Sequence, residues 1–378
     1  MLSAAPAPAP ASPFSSSAAA GYHPALTGLR AVAAWLIFSY HFQPFSGPRF
    51  GTLIPALANE NYTGQTIFFV LSGLLIGLQY APAVAALPRP GWPMGFLRKR
   101  LVRIYPLYFL LTTAALLLKA HDGGSFSWTE YLLNISLLRG FSDQYLLSGL
   151  SQGWALTVEA CFYLLMPWLL LRRGSFGPRW QWLPALLAAG VTLVWLARQL
   201  PLEPGLVLGD LGFMLQATIF GRCFELLLGL QLAAWFRQRR GAASARRWAP
   251  ATLLGLLGLL GVLALLAAVR GSHEAGLQAP LGKLLHNGLR PVAAALLIWG
   301  LLTEASPLQW LLATRPMQLL GRTAFAFLLV HMGPVHQWLR LHVTTNLLLC
   351  FLLLQLLAIG IHFALEKPLI RRLGYAYR

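Results

Sequence analysis

Residues 249–269 read APATLLGLLGLLGVLALLAAV, twenty-one positions without one ionisable side chain. A helix of about 20 apolar residues crosses the hydrocarbon core of a bilayer, so this stretch reads as a membrane span. Working outward in both directions, similar runs recur. Ten spans fall at about 26–44, 62–82, 101–119, 153–171, 181–200, 211–236, 249–269, 289–303, 317–339 and 344–366. Of 378 residues, 57% are hydrophobic and 11% charged, against about 25% charged in a soluble domain. That deficit excludes a soluble globular enzyme and a disordered chain. The expected fold is an all-α polytopic membrane protein, one bundle of about ten transmembrane helices.

The segments outside the spans are short. Residues 1–22 are rich in Ala, Pro and Ser and lack a basic region before an apolar core, so they read as a flexible tail and not as a secretory signal. The transmembrane domain is expected over 23–374, followed by a tail at 375–378. Between the third and fourth spans, TEYLLNISLLRGF (129–141) is too short and polar to cross; it lies at the interface or folds over a site. Cys161, Cys223 and Cys350 each sit inside an apolar run without metal-ligand spacing, so neither a disulfide nor a metal site is expected.

The formal net charge is +18. Counted by loop, 18 Lys and Arg fall on the side of the N-terminus and eight opposite, Arg139 and Arg290 among the eight. The positive-inside bias then places both termini in the cytoplasm and accounts for most of the charge without any nucleic-acid partner.

The informative residues are ionisable groups that topology does not explain, because a charge within a bilayer is expensive. The first span, LTGLRAVAAWLIFSYHF (26–42), carries Arg30 and His41. Eleven residues return within about 20° of three full turns and rise about 16 Å, so both lie on one face. Glu159, in QGWALTVEACFYLL (152–165), falls about 9 Å below the outer end of its span. His331, in FAFLLVHMGPVHQW (325–338), falls in the outer half of its own. His41, Glu159 and His331 therefore share a depth, where an acid beside imidazoles fixes a tautomer for a general base. Separate buried hydrogen bonds are the plainer alternative. At the inner side, FLRKRLVRIYPLYF (96–109) gathers Arg98, Lys99, Arg100 and Arg103, with Arg30 and Arg322 at similar depth. Arg100 and Arg103 are one helical turn apart, and guanidinium forks suit phosphate. A phosphorylated cytoplasmic donor fits them, and so do lipid headgroups.

Seven blocks in order resemble the acyltransferase family 3 of membrane O-acyltransferases. These are GLRAVAAWLIFSYHF (28–42) with its Arg-x10-His spacing, FFVLSGLLIG (68–77), RLVRIYPLYF (100–109) and GWALTVEACFYLLMP (153–167), then RCFELLLGLQLA (222–233), LGRTAFAFLLVHMGPV (320–335) and FALEKPLIRRL (363–373). Ala155, Ala160 and Phe327 depart from the residues usual there. The resemblance implies ten spans in a bacterial plasma membrane and transfer of an acyl group, acetyl by default, from cytoplasmic acyl-CoA to a hydroxyl of a carbohydrate or similar acceptor. Acyl-CoA is then a co-substrate, and no resident cofactor is expected; membrane lipids are the other partner. It implies His41 as general base, or in a variant as the acylated nucleophile, with Glu159 orienting it and Arg30 assisting. Arg100, Arg103 and Arg98 take the CoA phosphates, and His331, Trp154 and Tyr163 line or support the acceptor site. A proton-coupled transporter using the same buried groups is the alternative, and the inverted repeats that would favour it are not seen.

Overall fold

A computed structural model describes residues 22–85, 91–171, 179–201, 203, 205–239 and 249–373. The expected tails fall outside the described residues apart from Tyr22, Leu373 being the last described. The described residues form helices, with no strand among them. In chain order these are α1 (Pro24–Phe42), α2 (Leu53–Asn59), α3 (Thr63–Ala85), α4 (Trp92–His121), α5 (Trp128–Ile135) and α6 (Trp154–Leu171). Then come α7 (Leu183–Ala197), α8 (Leu211–Ala217), α9 (Ile219–Arg239), α10 (Pro250–Val269), α11 (Pro280–Leu284) and α12 (Arg290–Thr303). The last are α13 (Pro307–Leu312), α14 (Arg315–Val330), α15 (Pro334–His342), α16 (Leu347–Ile361) and α17 (Lys367–Arg372).

Six stretches are long and apolar enough to cross a membrane: Thr63–Tyr80, Trp92–His121, Leu211–Arg239, Pro250–Val269, Pro280–Thr303 and Leu347–Arg372. Each falls on an expected span. The other four expected positions also hold helices, but length and composition do not make them crossings, so six are supported where ten were expected. The helix α7 has only 15 residues. The span expected at 317–339 is two helices, because Gly333 at φ 84° and Pro334 break it after Val330. Two others are interrupted by π-helical turns, Leu285–Leu289 and His362–Glu366, which turn His286 and Glu366 inward.

Without a hydrophobic drive between helices in lipid, close approach comes from small residues. The main crossing, α3 on α9, shows this. Gly73 lies against the Leu226 carbonyl and Gly229 against the Val70 carbonyl, so closely that a Cβ at either would overlap the facing backbone. The helix α1 packs between α3 and α14, and α12 joins α10 to α3. The outermost apolar side chains are exposed, Leu253, Leu257 and Leu260 on α10 and Leu348, Leu352 and Leu356 on α16, as lipid contact requires.

The interior is where the charges are. Arg139, Arg222 and Arg290 are among the largest fully buried side chains. Arg222 pairs with Glu225 at 2.9 Å and also meets the His286 ring. Arg290 reaches His286 Nδ1 at 2.8 Å and donates to the Glu60 carbonyl at 3.0 Å. Arg139 donates to Asn134 Oδ1 at 2.8 Å and to the carbonyls of Ser148, Leu150 and Ser151. Arg139 and Arg290, expected among the loop charges, are instead fully buried. Their connections fold inward, and each guanidinium satisfies carbonyls that would otherwise be buried alone. Arg139 thereby clamps the segment after α5 over the bundle and delivers Trp154 to the start of α6.

Candidate active site

Two cavities meet inside the bundle. The inner one, about 130 Å³, is lined by Arg30 of α1, Arg100 and Arg103 of α4, Glu159 and Tyr163 of α6 and Arg322 of α14, with Ser72 and Glu366. The outer one, about 650 Å³, is lined by Tyr40, His41, Tyr62, Trp154, Asp143, Asp210, Lys283 and His286, among others. Among the described residues, three line both: Ile37, Gln65 and Gln152. They form the neck.

Arg30 and His41 stand at opposite ends of this path, as the one-face spacing requires, since one lines each cavity. His41 lies in the last turn of α1, and His331 caps the end of α14. Their rings are parallel within 5° with centroids 5.3 Å apart, and His41 Nδ1 stands 3.2 Å from His331 Nε2. The tautomers follow from the next bond. His331 Nδ1 lies 2.8 Å from the Leu328 carbonyl, which only accepts, so Nδ1 carries the proton. With both rings neutral, His331 Nε2 accepts from His41 Nδ1–H, which leaves His41 Nε2 as a bare lone pair. Leu328 has its carbonyl free because α14 ends two residues later. The Gln152 amide donates to the same carbonyl.

Glu159 stands elsewhere, and this corrects its expected partnership with His41. It accepts a hydrogen bond from Tyr163 at 2.9 Å and faces the arginines of the inner cavity. Spacing along the sequence does not give the rotation of α6 about its axis, and that rotation turns Glu159 into the inner cavity, away from the one His41 lines. Ala155, Glu159 and Tyr163, each one turn from the next, form a stripe down the inner wall, whereas Trp154 faces the outer cavity beside Tyr62, rings stacked at 6.4 Å. Tyr163 therefore supports Glu159 rather than the outer cavity. Arg100 is held by Gln79 at 2.9 Å and by the Tyr80 ring at 5.2 Å. Arg98 is exposed on α4 and is not part of the cavity wall.

The sequence reading missed Gln65, Gln152, Asp143, Asp210 and Lys283, none of which carries a motif signal. In the outer cavity, burial and the neighbouring Asp210 raise the Asp143 carboxyl above the usual range. Among the described residues, no group of three or more His, Cys, Asp or Glu is arranged to hold a metal ion.

This combination, helices crossing a membrane around a polar path that joins an arginine-lined cavity to a histidine-bearing one, defines a multi-pass membrane protein with an internal site. The chain belongs to acyltransferase family 3, whose acyltransferase domain it matches over residues 23–365. It is a membrane acyltransferase. No curated protein and no solved structure matches it.

Proposed function

We propose that the protein is an integral-membrane O-acyltransferase that moves an acyl group, acetyl in the simplest case, from acyl-CoA to a hydroxyl of a carbohydrate or similar acceptor. The observation that carries this reading is the meeting of the two cavities one helical turn from His41. With both termini in the cytoplasm of a bacterial plasma membrane, the arginines face the CoA pool. Arg100 and Arg103 take the phosphates and Arg30 guides the pantetheine arm through the narrow inner cavity, with Glu159 balancing Arg30. The acceptor occupies the wider outer cavity, whose hydroxyl- and carboxylate-bearing walls and stacked Tyr62 and Trp154 suit a polyhydroxyl ring.

His41 Nε2 removes the acceptor hydroxyl proton as the oxygen attacks the thioester carbonyl carbon. Collapse of the tetrahedral intermediate breaks the C–S bond, and the departing thiolate takes the proton back from His41. His331 is a positioning residue that fixes the tautomer this sequence needs. The test is transfer from labelled acetyl-CoA into the envelope fraction of native cells, comparing wild type with His41→Ala at matched protein level. Undiminished transfer by His41→Ala refutes the mechanism.

A further inference from the structure

Resting on the acyl-transfer reading, the geometry points to Gln65 as the group that holds the oxyanion when the thioester carbonyl is attacked. The thioester must sit in the neck, within reach of His41 from one side and of the CoA cavity from the other. Among the described residues, only Ile37, Gln65 and Gln152 line both cavities. Ile37 offers no donor. The Gln152 amide gives one of its two N–H groups to the Leu328 carbonyl, which ties its orientation to the end of α14, whereas Gln65 keeps both. The Gln65 carboxamide donates to no described residue, which leaves its N–H groups for a ligand.

The placement of Gln65 is fixed by backbone contact. Gly64 lies against the Ala33 carbonyl, and a Cβ there would come 2.8 Å from Ile37 Cγ1. The first turn of α3 is thus pressed onto the turn of α1 immediately before His41. Ile37 and His41 are four residues apart and share a face. A carbonyl lying over Ile37 therefore has Gln65 on one flank and His41 beyond. Gln65 is also the third residue of a 23-residue helix, where backbone N–H groups lack intrahelical acceptors and the helix end is partially positive. Both features favour an anion at this spot.

In the reaction the acceptor oxygen forms a bond to the carbonyl carbon, and the C=O π pair moves onto the carbonyl oxygen. The Gln65 Nε2–H donates to that oxyanion. The pair returns as the C–S bond breaks, and CoA thiolate leaves with the proton from His41. Gln65 neither gains nor loses a proton.

The experiment uses the full-length protein in nanodiscs, labelled acetyl-CoA, and envelope from native cells lacking the gene as acceptor. Gln65→Met keeps the length of the side chain and removes the donors. Removing one donor of this kind lowers turnover about 100- to 1,000-fold, so that fall is expected, with the Kd for CoA within about two-fold of wild type. Gln65→Glu, an acceptor where a donor is needed, is expected to fall at least as far and serves if the Met variant does not fold. Turnover of either folded variant within about three-fold of wild type overturns the assignment. If wild type transfers no label at all, the acyl-transfer reading fails instead, so the two failures are distinguishable.

Discussion

Replacing His331 by Phe isolates the contact that sets the tautomer of the proposed base, His41. Phe preserves the parallel ring packing against His41, at 5.3 Å, and against Phe327, at 5.8 Å, so the shape of the site is kept. What is lost is the acceptor 3.2 Å from His41 Nδ1. In the tautomer that leaves Nε2 bare, His41 Nδ1–H then has no partner in a buried setting, at about 1–3 kcal/mol. The ring escapes this penalty by moving the proton to Nε2, which abolishes the base. Either way the reactive form is disfavoured by that amount. At 1.36 kcal/mol per decade, turnover is expected to fall about 5- to 150-fold. His331→Gln supplies a carbonyl acceptor at similar reach and should recover part of the loss. The assay is initial rate of label transfer from acetyl-CoA at saturating donor, normalised to folded protein. Turnover of His331→Phe within two-fold of wild type, or His331→Gln no better than Phe, refutes the tautomer argument.

Three other outcomes are expected. Arg100→Gln and Arg103→Gln should each raise KM for acetyl-CoA about 10- to 150-fold, taking about 1.5–3 kcal/mol for a charged hydrogen bond, while leaving a truncated thioester without phosphates unaffected in steady-state kinetics. Arg222→Met strands Glu225 in the interior, at about 3–5 kcal/mol, and should lower the unfolding midpoint in detergent; adding Glu225→Gln should restore part of it. Gly73→Leu drives a side chain into the Leu226 carbonyl and should prevent a monodisperse peak in size-exclusion chromatography.

The apolar runs made the all-helical membrane fold legible, because a bilayer leaves the backbone few options. Arg30 and His41 were legible for the same reason, as charges in an otherwise apolar helix. Glu159 was found but assigned the wrong neighbour. Residue spacing gives depth along a helix and angle around it, but not which way the helix is turned in the bundle. Contacts of α6 with α9 and with the 139–141 turn, where Thr157 Oγ1 accepts from the Gly140 N–H, set that rotation, and spacing within α6 does not reveal them. Arg139 and Arg290 looked like loop charges because the inward folding of their connections leaves no local signature. Gln65 and Gln152 were illegible for a different reason: neutral amides at membrane depth do not stand out in composition, and their importance lies in which two cavities they separate.

The replacement of a carboxylate by His331 beside His41 has a consequence for where catalysis draws its charge stabilisation. A carboxylate would orient the imidazole and also stabilise imidazolium, but at the cost of a buried anion facing the acceptor. A neutral histidine hydrogen-bonded to a backbone carbonyl orients without adding charge, and stabilises the imidazolium less. The fixed charges, Arg30, Arg100, Arg103 and Glu159, are gathered instead in the inner cavity, the one proposed for the donor. In the proposed mechanism the transition state for acyl transfer then has a weakly supported cation on His41 and an anion on the thioester oxygen. The anion must therefore be held close by, and the neck offers Gln65 and the start of α3 for it. On this argument the penalties for His331→Phe and Gln65→Met should combine to less than the sum of their separate effects on ΔG‡, since both act on one transition state in which proton transfer and oxyanion formation are coupled.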